Sequence, residues 1–192
     1  MKKIAITGHT SGIGRGLTQA LSAKGHSVIG LSRTNGGDIS QIDKILPLIL
    51  DCDIFINNAQ QDFNQTDLLY AVWDHWRTLP NKHIWCMSSM MTLYSTQNNR
   101  DDASSVQASR YRNQKISLED ACFELQAKSA WPDIVVMRPG PVDTPGCTNP
   151  QTTCAHVDTW CETMLDIIRL TESRNLRIRE VSLKGIGQGI TI

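Results

Sequence analysis

The sequence predicts an α/β fold with a doubly wound parallel β-sheet, covered by helices on both faces. Three observations lead to this prediction. Short apolar segments alternate with segments of helical periodicity along the whole chain, which is typical of parallel sheets. The central apolar segments lack polar alternation, as strands buried on both faces do. A glycine-rich turn joins the first apolar segment to the first helical one, and this makes a β-α-β opening.

Strands are predicted where short apolar segments are bounded by turn residues, at 3–7, 27–32, 53–57, 83–88, 133–138 and 178–183. Helices are predicted where apolar residues recur at helical spacing, near 15–25, 40–51, 65–79, 104–128 and 156–171. Pro47 is expected to end or kink the second helix, because proline lacks an amide proton. Segment 33–38 consists of turn residues, and 90–103 is a polar loop. With no linker or repeat in view, residues 1–192 are expected to form one domain.

Composition excludes several classes of partner. The 19 basic residues equal the 19 acidic ones and form no basic run, so neither a nucleic acid nor an anionic membrane surface is expected as a partner. No apolar run has the length of a membrane span, and the apolar stretch after Met1 is too short for a signal peptide. The six cysteines contain no CxxC pair, which favours a reducing, cytoplasmic location.

A zinc site is the one metal alternative that the sequence raises. Cys147, Cys154, His156 and Cys161 lie close together in the chain. Their spacings fit no standard pattern of paired zinc ligands. We therefore expect no metal.

The turn after the first strand has the form Thr7-Gly8-x-x-x-Gly12-Ile13-Gly14. Glycines let backbone amides approach a pyrophosphate closely, and the following helix N-terminus supplies partial positive charge. The pattern predicts a Rossmann-type dinucleotide site, although a turn needed only for helix–strand packing is the alternative. The residues assigned to the pyrophosphate are Gly8, Thr10, Ser11, Gly12, Ile13 and Gly14.

The end of the second strand indicates which dinucleotide is bound. A site for NAD usually has an acidic residue there, whereas an arginine can accommodate the 2′-phosphate of NADP. This chain has Ser32-Arg33-Thr34, so NADP(H) is expected in preference to NAD(H). The alternative is that Arg33 is a solvated loop residue.

Five further motifs follow the turn, and with them the chain resembles the short-chain dehydrogenase/reductase family nearly end to end. The motifs are Asp38-Ile39, Asn57-Asn58-Ala59, Ser88-Ser89, Tyr111-x-x-x-Lys115 and Pro139-Gly140-x-Val142-x-Thr144. The tyrosine–lysine spacing is a weak signal by itself, and the order of all six motifs makes the resemblance specific. It implies that Asp38 and Ile39 hold the adenine and that the proline–glycine motif lies beside the nicotinamide.

The catalytic residues are expected to be Ser89, Tyr111, Lys115 and Asn64. Tyr111 and Lys115 are four apart on a predicted helix and project from one face. The ammonium should lower the pKa of the phenol, which makes Tyr111 a general acid in reduction and a base in oxidation. A hydroxyl at Ser89, which the resemblance favours over Ser88, would bond the carbonyl oxygen of the substrate. The resemblance further implies that Lys115 holds the nicotinamide ribose and that Asn64 completes a proton relay.

Four departures from the family pattern are visible. The segment from the end of the second strand through Asp38 has only six residues, 33–38, which predicts a truncated second crossover and a rudimentary or missing third strand. Gln60 replaces a glycine and should crowd its loop or demand an unusual backbone angle. An insertion at about 90–103 should overhang the site. The short stretch after Thr144 predicts a minimal substrate lid.

The expected function is an NADPH-dependent carbonyl reductase or alcohol dehydrogenase acting on a small molecule. The alternative from another class is a non-catalytic dinucleotide-binding redox sensor or assembly subunit, which the truncated crossover, Gln60 and the minimal lid would favour. A nucleotide-sugar epimerase is less favoured, because its substrate domain would need a longer C-terminal half.

A homodimer or homotetramer is expected through the helices near 65–79 and 104–128, which carry more apolar residues than one sheet face requires. The resemblance implies that these helices pack against their twins. Trp73 and Trp76 are candidate anchors of such a two-fold interface. Burial within the monomer is the alternative for both side chains.

Overall fold

The computed structural model describes residues 1–94, 103–147 and 154–185, with residues 103–105 described by their backbone alone. Within these ranges the strands are β1 (Lys3–Thr7), β2 (Ser27–Leu31), β3 (Ile54–Asn57), β4 (His83–Met87), β5 (Asp133–Pro139) and β6 (Glu180–Leu183). The α-helices are α1 (Gly12–Ala23), α2 (Ile42–Leu50), α3 (Asn64–Trp76), α4 (Ala103–Lys128) and α5 (Val157–Ser173). The predicted alternation of strands and helices is confirmed.

The strands form one parallel sheet in the order β2-β1-β3-β4-β5-β6. The strand next to the edge, β1, pairs with β2 on one side and β3 on the other, so that Ile4 lies opposite both Val28 and Ile54. The chain therefore passes from β1 to β2 on one side and then returns to β3 on the other side, so that the strand order reverses at β1. In doubly wound folds a ligand crevice lies outside the carboxyl ends of the strands at such a switch point.

Two buried layers sandwich the sheet. Ala5 and Phe55 pack toward α2, α3 and α4, where Trp76 and Cys122 are also buried. The alternate strand residues, Ile4 and Ile56 among them, pack toward α1 and α5. Both faces of each central strand are thus buried, which is why these segments are apolar throughout. The predicted doubly wound fold class is confirmed.

The second crossover is truncated, as predicted. Residues 32–53, all of which the structure describes, contain a 3₁₀ turn at Arg33–Asn35 and the nine-residue α2, and no strand. Consequently β2 is the edge of the sheet. Of the two effects expected of Pro47, an end of the helix is wrong, because α2 continues to Leu50, whereas the kink stays a prediction. Ile45 and Ile49 on either side of Pro47 are fully buried, and this packing stabilises the helix through the proline.

Trp76 is not an interface anchor. Its side chain has no exposed surface and belongs to the core beneath α3. Trp73 is partly buried against the same core, with the guanidinium of Arg77 over its ring. The prediction that Trp76 contacts a second subunit is therefore wrong, because the helix turns this ring toward the sheet.

Two predictions fall largely on residues outside the described ranges. Of the polar loop at 90–103, Met90–Leu93 form a 3₁₀ turn, while 95–102 lie outside. Residues 148–153, where the minimal lid is predicted, also lie outside. In the described parts of the chain, no helix combines the length and the apolar character needed to cross a membrane.

Candidate cofactor and catalytic site

A cavity of about 500 Å³ opens at the carboxyl ends of the strands, beside the switch point. Ligand pockets in proteins commonly measure about 300–1,000 Å³. The predicted cofactor residues that line it are Gly8, Thr10, Ser11, Gly12, Ile13, Gly14, Ser32, Arg33, Asp38, Ile39, Asn58, Ala59, Lys115, Pro139 and Thr144. The sheet thus brings together residues that are more than 130 positions apart in the chain.

Three predicted residues support this wall from behind. Asn57 is buried and donates from Nδ2 to the carbonyl of Gln65 at 2.8 Å. Val142 is buried and forms a parallel bridge with Ala155. Gly140 donates from its amide to the carbonyl of Leu183 at 2.8 Å. These residues hold the strand ends in place, and they are not among the residues that line the cavity in the described chain.

The glycines of the first turn are required by its geometry. Gly8 and Gly12 have φ angles of +72° and +52°, which residues with a Cβ adopt at a cost. Gly14 has no such angle, but a Cβ there would lie 2.1 Å from the carbonyl oxygen of Gly8 and 2.6 Å from Nδ2 of Asn58. The turn is therefore compact enough to bring its backbone close to a ligand.

Asn58 and Thr7 tie this turn to the end of β3. Asn58 donates from Nδ2 to the carbonyl of Thr7 at 2.8 Å. In return, Thr7 Oγ1 accepts from the amides of Asn58 and Ala59 at 3.0 and 2.9 Å. The Asn57-Asn58-Ala59 motif thus fixes the floor of the cavity through side-chain and backbone hydrogen bonds.

The N-terminus of α1 suits a diphosphate. Ser11 is the N-cap residue and makes no capping hydrogen bond with its side chain, and the first turn has no acidic residue. The partial positive charge of the helix end is therefore not offset by the helix itself. Together with the compact turn, this is the arrangement that binds pyrophosphate in dinucleotide sites.

Arg33 and Asp38 both line the end of the cavity that lies beside β2. Arg33 is exposed and opens the 3₁₀ turn after β2. Asp38 Oδ1 accepts from the amide and hydroxyl of Ser40 at 3.0 and 2.9 Å. These hydrogen bonds, and then the charge of Arg33, hold the pKa of Asp38 below its ordinary value. This end of the cavity therefore presents an ionised carboxylate beside an exposed guanidinium.

Tyr111 and Lys115 line the other end, and Ser89 lies beside Tyr111 without being among the residues that line the cavity in the described chain. The Tyr111 side chain lines the cavity and is hydrogen-bonded to the side chain of Ser89. Nζ of Lys115 lies 5.6 Å from the centroid of the Tyr111 ring. Ser89 also accepts a hydrogen bond from the amide of Met91 at 3.2 Å. Tyr111 and Lys115 come from α4, and Ser89 follows β4, so the tertiary structure unites the trio.

Ser88 has a different set of contacts. Its hydroxyl donates to Glu119 Oε1, and Thr92 Oγ1 donates to the same oxygen at 2.9 Å. Glu119 in turn accepts from Nε and Nη2 of Arg138 at 2.9 and 2.8 Å. The Ser88 side chain therefore belongs to a buried polar network, while Ser89 is the serine whose side chain contacts Tyr111.

Lys115 is 2% exposed. Its ammonium donates to Oε1 of Gln65 at 2.7 Å and to the carbonyl of Met87 at 2.8 Å. Burial lowers the pKa of Lys115 from 10.5 to about 7, because a charged amine is disfavoured away from water. Both protonation states are therefore accessible near neutral pH.

The pKa of Tyr111 departs from the sequence-based expectation. Burial raises this pKa above 10.0, and the hydrogen bond with Ser89 only partly offsets the effect. The expected lowering by Lys115 is wrong for this structure, because burial is the main influence on the phenol and Lys115 is not among the groups that shift its pKa. Tyr111 is accordingly a neutral phenol at neutral pH, which is the form that can donate a proton.

Gln65 is a residue beside the candidate site that the sequence did not predict. Besides accepting from Lys115, it donates from Nε2 to the carbonyls of Asn57 and Met87 at 2.7 and 3.0 Å. Asn64, the predicted relay residue, opens α3, and it is not among the cavity-lining residues of the described chain. Successive helical residues point about 100° apart, so the one-residue offset decides which amide reaches Lys115. The one feature of the sequence that could have indicated Gln65 is that it directly follows Asn64, so that two side-chain amides lie at the start of this helix.

Gln60 does not need an unusual backbone. It lines the cavity and donates from Nε2 to Oε1 of Gln114 on α4. Among the described residues, the positive φ angles of non-glycine residues lie elsewhere, at Asp62, Asn81 and Asn175. Gln60, which stands in place of the glycine, therefore provides a contact between the β3 loop and α4 without backbone strain at this position.

No group of three or more His, Cys, Asp or Glu side chains within the described ranges could hold a metal ion.

What the fold and cavity define is a dinucleotide-binding α/β protein of Rossmann type. The model of the NAD dependent epimerase/dehydratase family matches residues 4–167. The chain belongs to this family, and its fold is that of short-chain dehydrogenases and reductases.

Solved structures share this fold over nearly the full chain. An alcohol dehydrogenase from the archaeon Thermococcus sibiricus, complexed with 5-hydroxy-NADP, is 15% identical, with 99% of each chain covered and a TM-score of 0.70. A short-chain dehydrogenase from Streptomyces avermitilis is 18% identical, with 96% of this chain and 89% of that chain covered and a TM-score of 0.74.

A 3-ketoacyl-(acyl-carrier-protein) reductase from Brucella melitensis, complexed with NADH, is 17% identical. The match covers 96% of this chain and 97% of that chain, with a TM-score of 0.72. At such identities the likeness establishes the fold. The search of curated proteins gives no significant match.

Proposed function

We propose that the protein is an NADP(H)-dependent oxidoreductase that reduces the carbonyl of a small molecule or oxidises the corresponding alcohol. The observation that carries the proposal is that Tyr111 and Lys115 line one end of a cavity whose other end contains Arg33, with Ser89 in contact with Tyr111. When bound, the nicotinamide supplies or accepts the hydride.

Tyr111 is the proton donor in the reduction. Its phenol is neutral at neutral pH and lies on the cavity wall, where it can donate to a carbonyl oxygen as that oxygen gains negative charge. In the oxidation the phenolate takes the proton from the alcohol. Ser89, hydrogen-bonded to Tyr111, would orient the carbonyl oxygen and stabilise the developing alkoxide.

Lys115 acts on Tyr111 and on the cofactor. In its ammonium form, 5.6 Å from the ring centroid, it stabilises the phenolate that remains after Tyr111 has donated its proton. It also lines the cavity, where it can hold the ribose of the nicotinamide half. The relay through Asn64 stays a prediction, and we add Gln65 as the residue that positions Lys115.

The remaining lining residues would each contact a different part of the cofactor. Gly8 to Gly14 and the N-terminus of α1 would hold the pyrophosphate. Asp38 and Ile39 would contact the adenine, and Arg33 the 2′-phosphate, which supports the preference for NADP(H). Pro139 and Thr144 would border the nicotinamide. A homodimer or homotetramer through α3 and α4 completes the proposal.

Tyr111→Phe tests the function. We expect kcat with NADPH and a panel of aldehydes, ketones and diketones to fall about 10²–10⁴-fold, because proton transfer in the transition state is lost. The Kd for NADPH should stay unchanged. Tyr70→Phe on α3, which removes only a surface hydroxyl bonded to Glu124, is the matched control and should retain full activity.

Two outcomes would contradict the proposal. Undiminished turnover by Tyr111→Phe would remove Tyr111 from the mechanism. Tight NADPH binding by the wild-type protein without turnover of any compound in the panel would favour the non-catalytic alternative, a redox sensor of the same fold.

A further inference from the structure

Cys147 and Cys154 lie side by side, close to Thr144 on the wall of the cavity. Their Sγ atoms are 2.8 Å apart, and both residues are half-buried. A disulfide bond is about 2.05 Å long, so a small movement would allow the two sulfur atoms to bond. The other cysteines of the chain are buried, at Cys52, Cys86, Cys122 and Cys161.

The backbone imposes this proximity. Val142 and Ala155 form a parallel bridge, in which the Asp143 amide donates to the Ala155 carbonyl at 2.8 Å and the Ala155 amide to the Pro141 carbonyl at 2.9 Å. Cys154 directly precedes this bridge. On the other side, the amide of Cys147 donates to the carbonyl of Thr144 at 2.8 Å and turns the chain back. The two thiols therefore meet because both flanking segments are hydrogen-bonded.

The same segment forms part of the cofactor cavity. Thr144 lines the cavity, and its Cγ2 atom lies 3.3 Å from the position that a Cβ on Gly12 would occupy. Residues 141–147 thus touch the pyrophosphate turn on one side and Cys154 on the other. A covalent link at Cys147 would anchor this part of the wall.

We propose that Cys147 and Cys154 form a reversible disulfide by exchange with a small-molecule disulfide, and that the oxidised pair anchors segment 141–147. The thiolate of one cysteine attacks the external disulfide, which forms a mixed disulfide and releases one thiol. The second cysteine attacks the protein sulfur of that mixed disulfide and releases the second thiol. The protein loses two electrons and two protons, and the external disulfide gains them.

Glutathione redox buffers test the pair. The full-length protein is equilibrated with mixtures of reduced and oxidised glutathione and quenched in acid, and its thiols are counted in denaturant. We expect the six thiols of the reduced chain to fall to four, with the mass lower by two hydrogen atoms and one peptide that contains an internal disulfide between Cys147 and Cys154. Dithiothreitol should restore all six.

The single variants Cys147→Ser and Cys154→Ser control for this result. Each should stop at the mixed disulfide and gain one glutathione on its remaining partner cysteine. The proposal would be overturned if the wild-type protein accumulates glutathione adducts without an internal disulfide, if another cysteine takes part, or if six thiols persist in oxidised glutathione.

Anchoring is measured by hydrogen exchange and thermal unfolding. In the oxidised protein the amides of 142–147 should exchange more slowly than in the reduced protein, and the Tm should rise by about 5 °C, because the closed loop restricts the unfolded chain. The double variant, with both cysteines replaced by serine, should show neither change under the same buffers. Identical exchange and Tm in fully oxidised and reduced wild-type protein would refute the anchoring role.

Discussion

At the residue scale, Lys115 shows how burial sets the chemistry of a side chain. Its contacts with Gln65 and Met87 are to neutral oxygens, so they do not offset the loss of water, and the pKa falls from 10.5 to about 7. At pH values between about 7 and 10.5, Lys115 is protonated in the unfolded chain and deprotonated in the folded chain. The contribution of this group to stability therefore increases as the pH rises through that window.

Substitutions at Gln65 should shift the pH profile of the reaction. Gln65→Glu places a carboxylate beside the ammonium of Lys115 and should raise its pKa by about 1–3 units. Gln65→Leu removes one acceptor and should lower it. The measurement is kcat/KM against pH with NADPH, in which the inflection assigned to Lys115 should move up in the first variant and down in the second.

Gln126→Glu is the control for this experiment. Gln126 lies near the end of α4, where its side chain donates to the Ile134 carbonyl at 2.5 Å, away from Lys115. Its profile should keep the wild-type inflection. If both Gln65 variants lose activity equally at every pH with no movement of the inflection, Gln65 has only a structural role.

Arg33 should determine the choice between the two dinucleotides. Loss of a charge-assisted hydrogen bond of about 1.5–3 kcal/mol corresponds to an increase of roughly 10–150-fold in Kd. We expect Arg33→Ala to raise the Kd of NADPH by this factor while the Kd of NADH changes less than about twofold. Fluorescence titration of both coenzymes measures it, with the exposed Lys24→Ala as control. Equal effects on NADPH and NADH would contradict the assigned role.

At the scale of elements, the site depends on the turn between β1 and α1 and on the face of α4. Tyr111, Lys115 and Glu119 follow one another at four-residue intervals on α4, so they share a face. The first two serve the cavity, and Glu119 anchors the helix to Ser88 and Arg138. This buried network holds α4 against the ends of β4 and β5, and with them the phenol against the cavity.

Gly14→Ala should disrupt the first turn. The added Cβ would lie 2.1 Å from the Gly8 carbonyl oxygen, and backbone atoms cannot move aside as a flexible side chain can. We expect the affinity for NADPH to fall at least about tenfold and the protein to lose about 1–3 kcal/mol of stability, as overpacked sites do. Coenzyme titration and urea unfolding measure the two effects.

Gly146→Ala is the matched control, because a Cβ at Gly146 would meet nothing within 4 Å and the residue has no positive φ. It should leave both quantities close to wild type. Unchanged coenzyme affinity in Gly14→Ala would show that the compactness of the turn is not needed for binding.

At the scale of the whole molecule, one side of the sandwich has a surface suited to a two-fold contact. The face of α3 and α4 contains a shallow cavity lined by Tyr70, Asn113 and Ile116, among others. Tyr70 is 39% exposed although its hydroxyl contacts Glu124 on α4. The predicted anchor Trp76 is absent from this face, so an interface here would depend on these residues.

We expect the protein to have at least twice the mass of the 21.4 kDa chain in light scattering after size exclusion. Ile116→Arg should shift it to the monomer, because an unpaired charge in a desolvated interface is costly. Leu170→Arg is the control, since Leu170 is 52% exposed on α5, on the opposite side of the sheet. A monomeric wild-type protein, or dissociation by both variants alike, would contradict the α3 and α4 interface.

The sequence alone determined the architecture of this protein and most of the residues that line the candidate cavity. The alternation of apolar strands and periodic helices is a local property, and so is the glycine spacing of a turn that a Cβ would obstruct at Gly14. The short segment before Asp38 likewise predicted the missing strand beside β2. Such features follow from the neighbouring residues in the chain, so a pattern in the sequence contains them.

The tertiary structure decided which side chains touch. That Gln65 reaches Lys115, that Ser88 bonds to Glu119 and that the sulfur atoms of Cys147 and Cys154 meet are results of packing between distant segments. The direction of the Tyr111 pKa was decided there too, because burial depends on every element around the ring. Spacing in the chain places a residue on a helix face, whereas contact and loss of water arise only when several elements pack together.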